Sequence, residues 1–333
     1  MEKIVYVNQN ISDKNSYHSL QEAIDSLGNY NPDEEVTIEI SPGLYEGQFF
    51  LERPNVTIKG MGQKPEDTEI CGYLGAFDDY GDGSKRGTFR SYTLFAGADN
   101  ICLENLTIAN RSGEPKEKGQ AIALYADGDQ IRVKSCRLIG RQDTLFTGPL
   151  PPKEIKPGGF IGPRQFAPRL LSRQHYEDCY ICGDVDFIFG SAAAYFDHCT
   201  IESLPHDPES PDPAKIQGYC TAASTPQGQK YGYVFKDCDF IASSLLPDGC
   251  VYLGRPWRDY AKTVFIDCSI GRHIHTDGFH DWNKPLAREE SFYRVYNCRK
   301  TDGSCFEPKA PFASSLLENQ ALEYSSDKLM QEK

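Results

Sequence analysis

The stretch CYICGDVDFIFGSAAAYFDHCTIES, Cys179 to Ser203, restarts within its own length. Cys179 opens the strand-forming run CYIC, and Cys199 opens a second, CTIE, 20 residues later. An interval of that size is one coil of a parallel β-helix, in which each turn contributes short strands that pair with the coils above and below. The fold therefore hangs on whether the restart recurs.

It does recur outward from this stretch. The runs NVTIKG, NLTIAN, CRLIG, CYICG, CTIES, CDFIA, CSIG and CRK place Asn55, Asn105, Cys136, Cys179, Cys199, Cys238, Cys268 and Cys298 in one column, at intervals of 50, 31, 43, 20, 39, 30 and 30 residues. Segments rich in β-formers precede it, such as IRVKSC, YVFKDC and YRVYNC. A sandwich or barrel also supplies many short strands, but not one residue type returning at matched offsets. The reading is an all-β chain, a single-stranded right-handed parallel β-helix forming one domain over 1–333, with longer intervals marking coils that carry inserted loops.

A stack of coils leaves two open ends. Ser19 to Leu27 is expected to cover the first as a short helix: Ser19 and Glu22 form a capping-box pattern, and Leu20, Ala23, Ile24 and Leu27 share one face. The tail from Ser314 to Lys333, with Leu316, Leu317, Ala321 and Leu322, is expected to cover the other end. Leu150 to Arg173, LPPKEIKPGGFIGPRQFAPRLLSR, is rich in Pro and Gly without periodicity, which predicts a protruding loop.

The same spacing brings two acids together. CRLIGRQDTLF, Cys136 to Phe146, matches CYICGDVDFIFG with Asp143 and Asp186 at the same offset of 43 residues as the two cysteines. On adjacent coils they sit about 4.8 Å apart, the strand spacing. Two carboxylates that close cannot both ionise easily, so one keeps a proton while the other stays charged. A nucleophile and an acid can come from one such pair.

Four segments now carry a family resemblance. GQAIAL (Gly119 to Leu124), GRQDTLF, GDVDFIFG and YLGRPWRDYAKTVF (Tyr252 to Phe265) resemble, in order, the four signature regions of the pectin methylesterases, the pectinesterase family. The likeness extends from about Val5 through TFRSYTLF and NLTIAN to HIHTDGFHDWN at Asn283. The resemblance implies that Asp186 attacks the methyl ester carbonyl of a galacturonate residue. Asp143 then protonates the departing methanol and activates water. It further implies that Gln142 and Gln120 donate to the oxyanion and that Arg255 holds Asp186 ionised. Trp257 would stack on a sugar ring, while Phe146, Phe189 and Val185 would shape the ester pocket.

Composition narrows the partners. A net charge of −13 without a basic block excludes nucleic acid and an anionic membrane surface, and no run of 18 apolar residues is present. The partner expected is methyl-esterified galacturonan or its oligomers, bound by a monomer. The same negative charge should repel demethylated product. No metal and no cofactor is expected: Asp78 to Phe89 starts like a calcium loop but ends in Phe89 where a Glu is required, and Cys179 with Cys182 lacks a second ligand pair. The cysteines read as packing residues. The N-terminus has no export signal, so the chain as it stands reads as cytoplasmic, or as secreted if trimmed from a longer precursor.

Two positions depart from the family pattern. Arg141 stands where a bulky, usually aromatic residue is usual, so it is expected to alter a subsite or contact a uronate carboxylate. Leu150 to Arg173 is expected to overhang the groove. The rival readings are another parallel β-helix enzyme of pectin, a glycosidase or a lyase, and a non-catalytic carbohydrate-binding solenoid.

Overall fold

The computed structural model describes residues 3–10, 16–207 and 215–332. Three parallel sheets of 12, 9 and 7 strands run the length of the molecule, their strands stacked almost in chain order. One coil shows the rule: Arg173–Glu177 lies in the first sheet, Tyr180–Gly183 in the second and Val185–Gly190 in the third, before Ala193–Asp197 rejoins the first. Tyr180 pairs with Thr200 and Ile181 with Ile201, so one coil is the 20-residue interval.

Alternation along the strands builds the core. Val36, Ile38 and Ile40 point inward over Val56 and Ile58, and the same positions continue as Ile101 with Leu103 and Ile131 with Val133. Where aromatic residues take the inward position they stack at the strand spacing. Tyr176, Phe196, Phe235 and Phe265 follow one another at centroid distances of 4.7, 4.4 and 4.9 Å with nearly parallel rings.

The cysteine column marks the corner between the first and second sheets. Each of its six cysteines follows a residue in the left-handed region: Ser135, Asp178, His198, Asp237, Asp267 and Asn297 have φ between 50° and 53°. The thiols are buried and donate to carbonyls of the coil below, as Cys199 does to Tyr176 O at 3.4 Å and Cys238 to Phe196 O at 3.4 Å. All twelve cysteines are free.

The structure corrects two entries of that column. Thr107 pairs with Arg137, so Leu106 is the partner of Cys136 and Asn105 that of Ser135. Asn55 belongs to another corner, where it precedes a first-sheet strand and hydrogen-bonds Asn100. Asparagine tolerates positive φ, and it was this backbone property rather than the packing position that made the asparagines look alike.

The N-terminal helix, Leu20–Ser26, covers its end with Leu20, Ala23, Ile24 and Leu27 buried. Its Ser19 hydroxyl accepts from the Gln21 amide at 3.2 Å rather than from Glu22. The C-terminal tail differs from expectation. After the strand Ala313–Ser315 it turns back along the outer face of the first sheet, packing Leu316, Ala321, Leu329 and Met330 on Ala193, Tyr195, Val234 and Val264. Leu317 and Leu322 point to solvent. An apolar outer stripe on the sheet offers the tail more buried area than the coil end does.

Candidate active site

The third sheet places the two acids. Leu145 pairs with Ile188, Phe146 with Phe189 and Thr147 with Gly190, so Asp143 and Asp186 occupy equivalent positions on neighbouring coils. Both have left-handed backbones, φ 66° and 51°. The register to the next strand slips between Val185 and Ile188, so three steps there match two from Tyr219 to Thr221. Such a bulge re-aims a side chain. Here it lies at Asp186.

Close packing beneath the acids requires glycine. A Cβ at Gly183 would lie 2.3 Å from the Phe187 Cβ and 2.5 Å from the Arg141 carbonyl oxygen. Backbone bonds tie the turns together, with Asp143 N donating to Val185 O at 3.1 Å and Ala121 N to Gln142 O at 3.0 Å. The repeated Gly140 and Gly183 thus allow the two acid-bearing turns to stack.

Arg255 distinguishes the acids. Its Nε donates to Asp186 Oδ1 and its Nη2 to Asp186 Oδ2, both at 2.7 Å. The guanidinium is sandwiched, with Cζ 3.8 Å from the Tyr219 ring centroid and 3.7 Å from that of Trp282. Burial, and then the charge of Asp186, pushes the Asp143 carboxyl well above the usual carboxylate range. Burial raises Asp186 as well, but the Arg255 charge and its hydrogen bonds oppose the rise. The pair is polarised towards an ionised Asp186 and a protonated Asp143.

Between them in sequence, Asp184 is fully buried and takes a different partner set. Arg141 Nε reaches its Oδ2 at 3.2 Å, His206 Nδ1 approaches the same oxygen at 3.3 Å, and the Val185 amide donates to its Oδ1 at 2.6 Å. Arg141 also donates to Pro205 O at 2.7 Å and pairs with Glu114 at 3.1 Å. Its fork is spent on the protein itself. The expected subsite contact of Arg141 is replaced by a structural one.

A cleft of about 450 Å³ opens over the acids. Of the residues singled out from sequence, Gln120, Gln142, Asp143, Asp186, Phe189, Arg255 and Trp257 line it. Phe146 and Val185 do not. Phe146 is fully buried beneath the cleft, 5.0 Å from Phe189, 5.1 Å from Phe89 and 4.6 Å from Tyr125 by ring centroids, so it supports the floor. Val185 is half-buried and paired with Tyr219. Leu150 to Arg173 does reach the site: Ile155, Lys156, Gly159 and Phe160 form part of its wall.

Sequence reasoning missed Trp282, Phe89, Arg258 and Lys284, which also line the cleft. Trp282 arrives from beyond the last third-sheet strand, through an isolated parallel bridge of Gly254 with Phe279. The available signal was rarity, since the chain has 2 tryptophans and both face this cleft. The described residues hold one grouping with metal-ligand spacing, Asp197, His198 and Asp237. It lies at the cysteine corner, outside the cleft.

Comparison with known proteins agrees with this architecture. The Pectinesterase family model matches residues 5–149 and 169–332. The chain belongs to the pectinesterase family. It is 30% identical over 310 residues to Pectinesterase 31 of Arabidopsis thaliana, an alignment covering 92% of this chain and 86% of that one. Among solved structures it is similar to the pectin methylesterase PemA of Erwinia chrysanthemi, with TM-score 0.79, 26% identity, and 99% and 97% of the two chains covered. A pectin methylesterase solved in complex with a hexasaccharide matches at TM-score 0.79 and 27% identity, with the same coverage. The pectinesterase family model passes over 150–168, the stretch that walls this cleft.

Proposed function

We propose that this pectinesterase removes methyl esters from galacturonate residues of pectin or its oligomers, with Asp186 as nucleophile and Asp143 as acid and base. The observation that carries the assignment is the two-point grip of Arg255 on Asp186 and not on Asp143. Asp186 attacks the ester carbonyl carbon, and the carbonyl oxygen takes the negative charge within reach of the Gln120 and Gln142 amides. Collapse expels the methoxy group, which takes the Asp143 proton and leaves as methanol. The ionised Asp143 then removes a proton from water, whose oxygen attacks the acyl carbon and returns Asp186 as a carboxylate.

The working unit we propose is the monomer, whose residues supply each catalytic group named above. Methylated polymer and short methylated oligomers are both proposed substrates. Methanol release from methylated galacturonan and from defined methylated oligomers tests both. New reducing ends would replace this reading with a glycosidase, unsaturated products with a lyase, and no product with a binding solenoid.

A further inference from the structure

Arg141 stands 43 residues before Asp184, the same offset that separates Asp143 from Asp186. An ion pair therefore spans the two coils that carry the acids, two residues ahead of them on each. Asp184 is fully buried; its Oδ2 meets Arg141 Nε at 3.2 Å and His206 Nδ1 at 3.3 Å. The backbone joins the same two turns, with Asp184 N donating to Arg141 O at 3.2 Å and Asp143 N to Val185 O at 3.1 Å.

The other end of the guanidinium reaches two further segments. Nη2 donates to Pro205 O at 2.7 Å and lies 3.1 Å from Glu114 Oε2. Glu114 directly precedes the short helix Pro115–Lys118, whose end is closed by Gly119 N donating to Pro115 O at 2.8 Å, and Gln120 comes next. Each partner of Arg141 thus leads within a few residues to a group of the site: Glu114 to Gln120, Arg141 itself to Gln142 and Asp143, and Asp184 to Asp186. A planar fork with donors fixed in direction can hold several segments in one geometry. An apolar side chain at 141 would make none of these bonds.

We propose that Arg141 is a positioning residue for this active site: its ion pairs with Asp184 and Glu114 hold Gln120, the Gln142–Asp143 turn and Asp186 in register with one another, and set the charge that stands behind the two acids. This rests on the roles of Asp186 and Asp143 given above and adds the residue that aligns them. The Asp184 charge acts on both acids. Burial and then Asp186 raise Asp143, Arg255 opposes them, and Asp184 adds to the rise; burial raises Asp186, Arg255 and Lys284 oppose it, and Asp184 adds again. The charged and titratable groups facing Asp184 among the described residues are Arg141, with Glu114 beyond it, His206, with Asp207 beside it, and the catalytic pair with Arg255.

The test measures methanol release across pH for Arg141→Met, Arg141→Lys and Asp184→Asn, each first shown by circular dichroism to keep the β-helix. Arg141 and Asp184 lie outside the cleft lining, so Arg141→Met should lower kcat on the order of tenfold to a hundredfold with KM nearly unchanged, and Arg141→Lys should recover part of the loss. A loss of folded protein lowers a rate profile without moving it, whereas a change in the charge behind the acids moves it. Arg141→Met leaves Asp184 without its cation, so Asp186 rises and the acidic limb shifts to higher pH; Asp184→Asn removes the anion and shifts the limb to lower pH, each by on the order of half a pH unit. Adding His206→Gln to both removes the neighbouring imidazole and should preserve the two directions. Asp184→Asn is nearly isosteric and carries the test alone if Arg141→Met does not fold. Unchanged kcat in folded Arg141→Met, limbs that stay in place, or limbs that move the same way overturn the proposal. Asp186→Asn is assayed alongside: turnover retained there would overturn the nucleophile assignment, while its loss with unmoved limbs in the other variants would overturn the positioning role alone.

Discussion

Arg255 binds both carboxylate oxygens of Asp186 at 2.7 Å, and Tyr219 and Trp282 clamp the guanidinium from its two faces. The nucleophile is thus held by a side chain that is itself held. Asp186→Asn should abolish methanol release while circular dichroism still shows the β-helix, with a lowered thermal midpoint because the buried Arg255 guanidinium loses its anion. Near-normal turnover would remove Asp186 from the chemistry. Arg255→Gln leaves a buried carboxylate without its cation, a loss of about 3–5 kcal/mol. It should also lift Asp186 further, so the acidic limb of the rate profile moves to higher pH; an unmoved limb would mean that Arg255 does not set the ionisation of Asp186.

Asp143 carries the opposite signature. Its carboxyl is raised by burial and by Asp186, so the folded state binds its proton more tightly than the unfolded chain does. The associated stability is present below the unfolded carboxylate range and is lost as pH rises through the folded value. Asp143→Asn removes a titrating acid from this buried position. It should raise the thermal midpoint at pH 7 relative to the unmutated protein, with the difference closing near pH 3, while methanol release disappears. A lower midpoint at pH 7 would contradict a buried acid held at a cost to stability. In the active protein the alkaline limb of the rate profile belongs to the pair acting through Asp143.

The stacked core offers a test of the fold itself. Phe235 is fully buried between Phe196 at 4.4 Å and Phe265 at 4.9 Å, ring planes within 9°. No neighbour can move into the space without shifting a coil, so Phe235→Ala should cost about 3–5 kcal/mol in urea unfolding at an unchanged slope. A loss under about 1 kcal/mol would mean that the stack relaxes, as a rigid ladder cannot.

What could be read from the chain follows from how a β-helix works. Parallel pairing turns equal spacing into contact, so Cys136 with Cys179 and Asp143 with Asp186 were one inference, as Phe146 over Phe189 confirms. Spacing does not say which way a side chain turns. Phe146 and Phe189 look equivalent in sequence, yet one lies under the floor and the other lines the cleft. Nor does it reach residues outside the coils: Trp282 enters through a single bridge, and the C-terminal leucines divide between solvent and the sheet face. Arg141 was misread for a related reason. Its partners Asp184, Pro205 and Glu114 come from three separate segments, and no local pattern announces them.

Gln142 separates transition-state stabilisation from substrate binding. It precedes Asp143 on the same turn and lines the cleft with Gln120, and its backbone is fixed by the bond from Ala121 N. A neutral amide gains most when the ester oxygen becomes an anion, because the charge-assisted bond is the stronger one. Gln142→Ala should therefore lower kcat by roughly 10²- to 10³-fold, the effect of deleting one oxyanion donor, with a small change in KM. A rise in KM at constant kcat would make the amide a ground-state contact to the sugar. Gln120 would then be left as the one side-chain amide for the oxyanion, and Gln120→Ala should account for the whole loss.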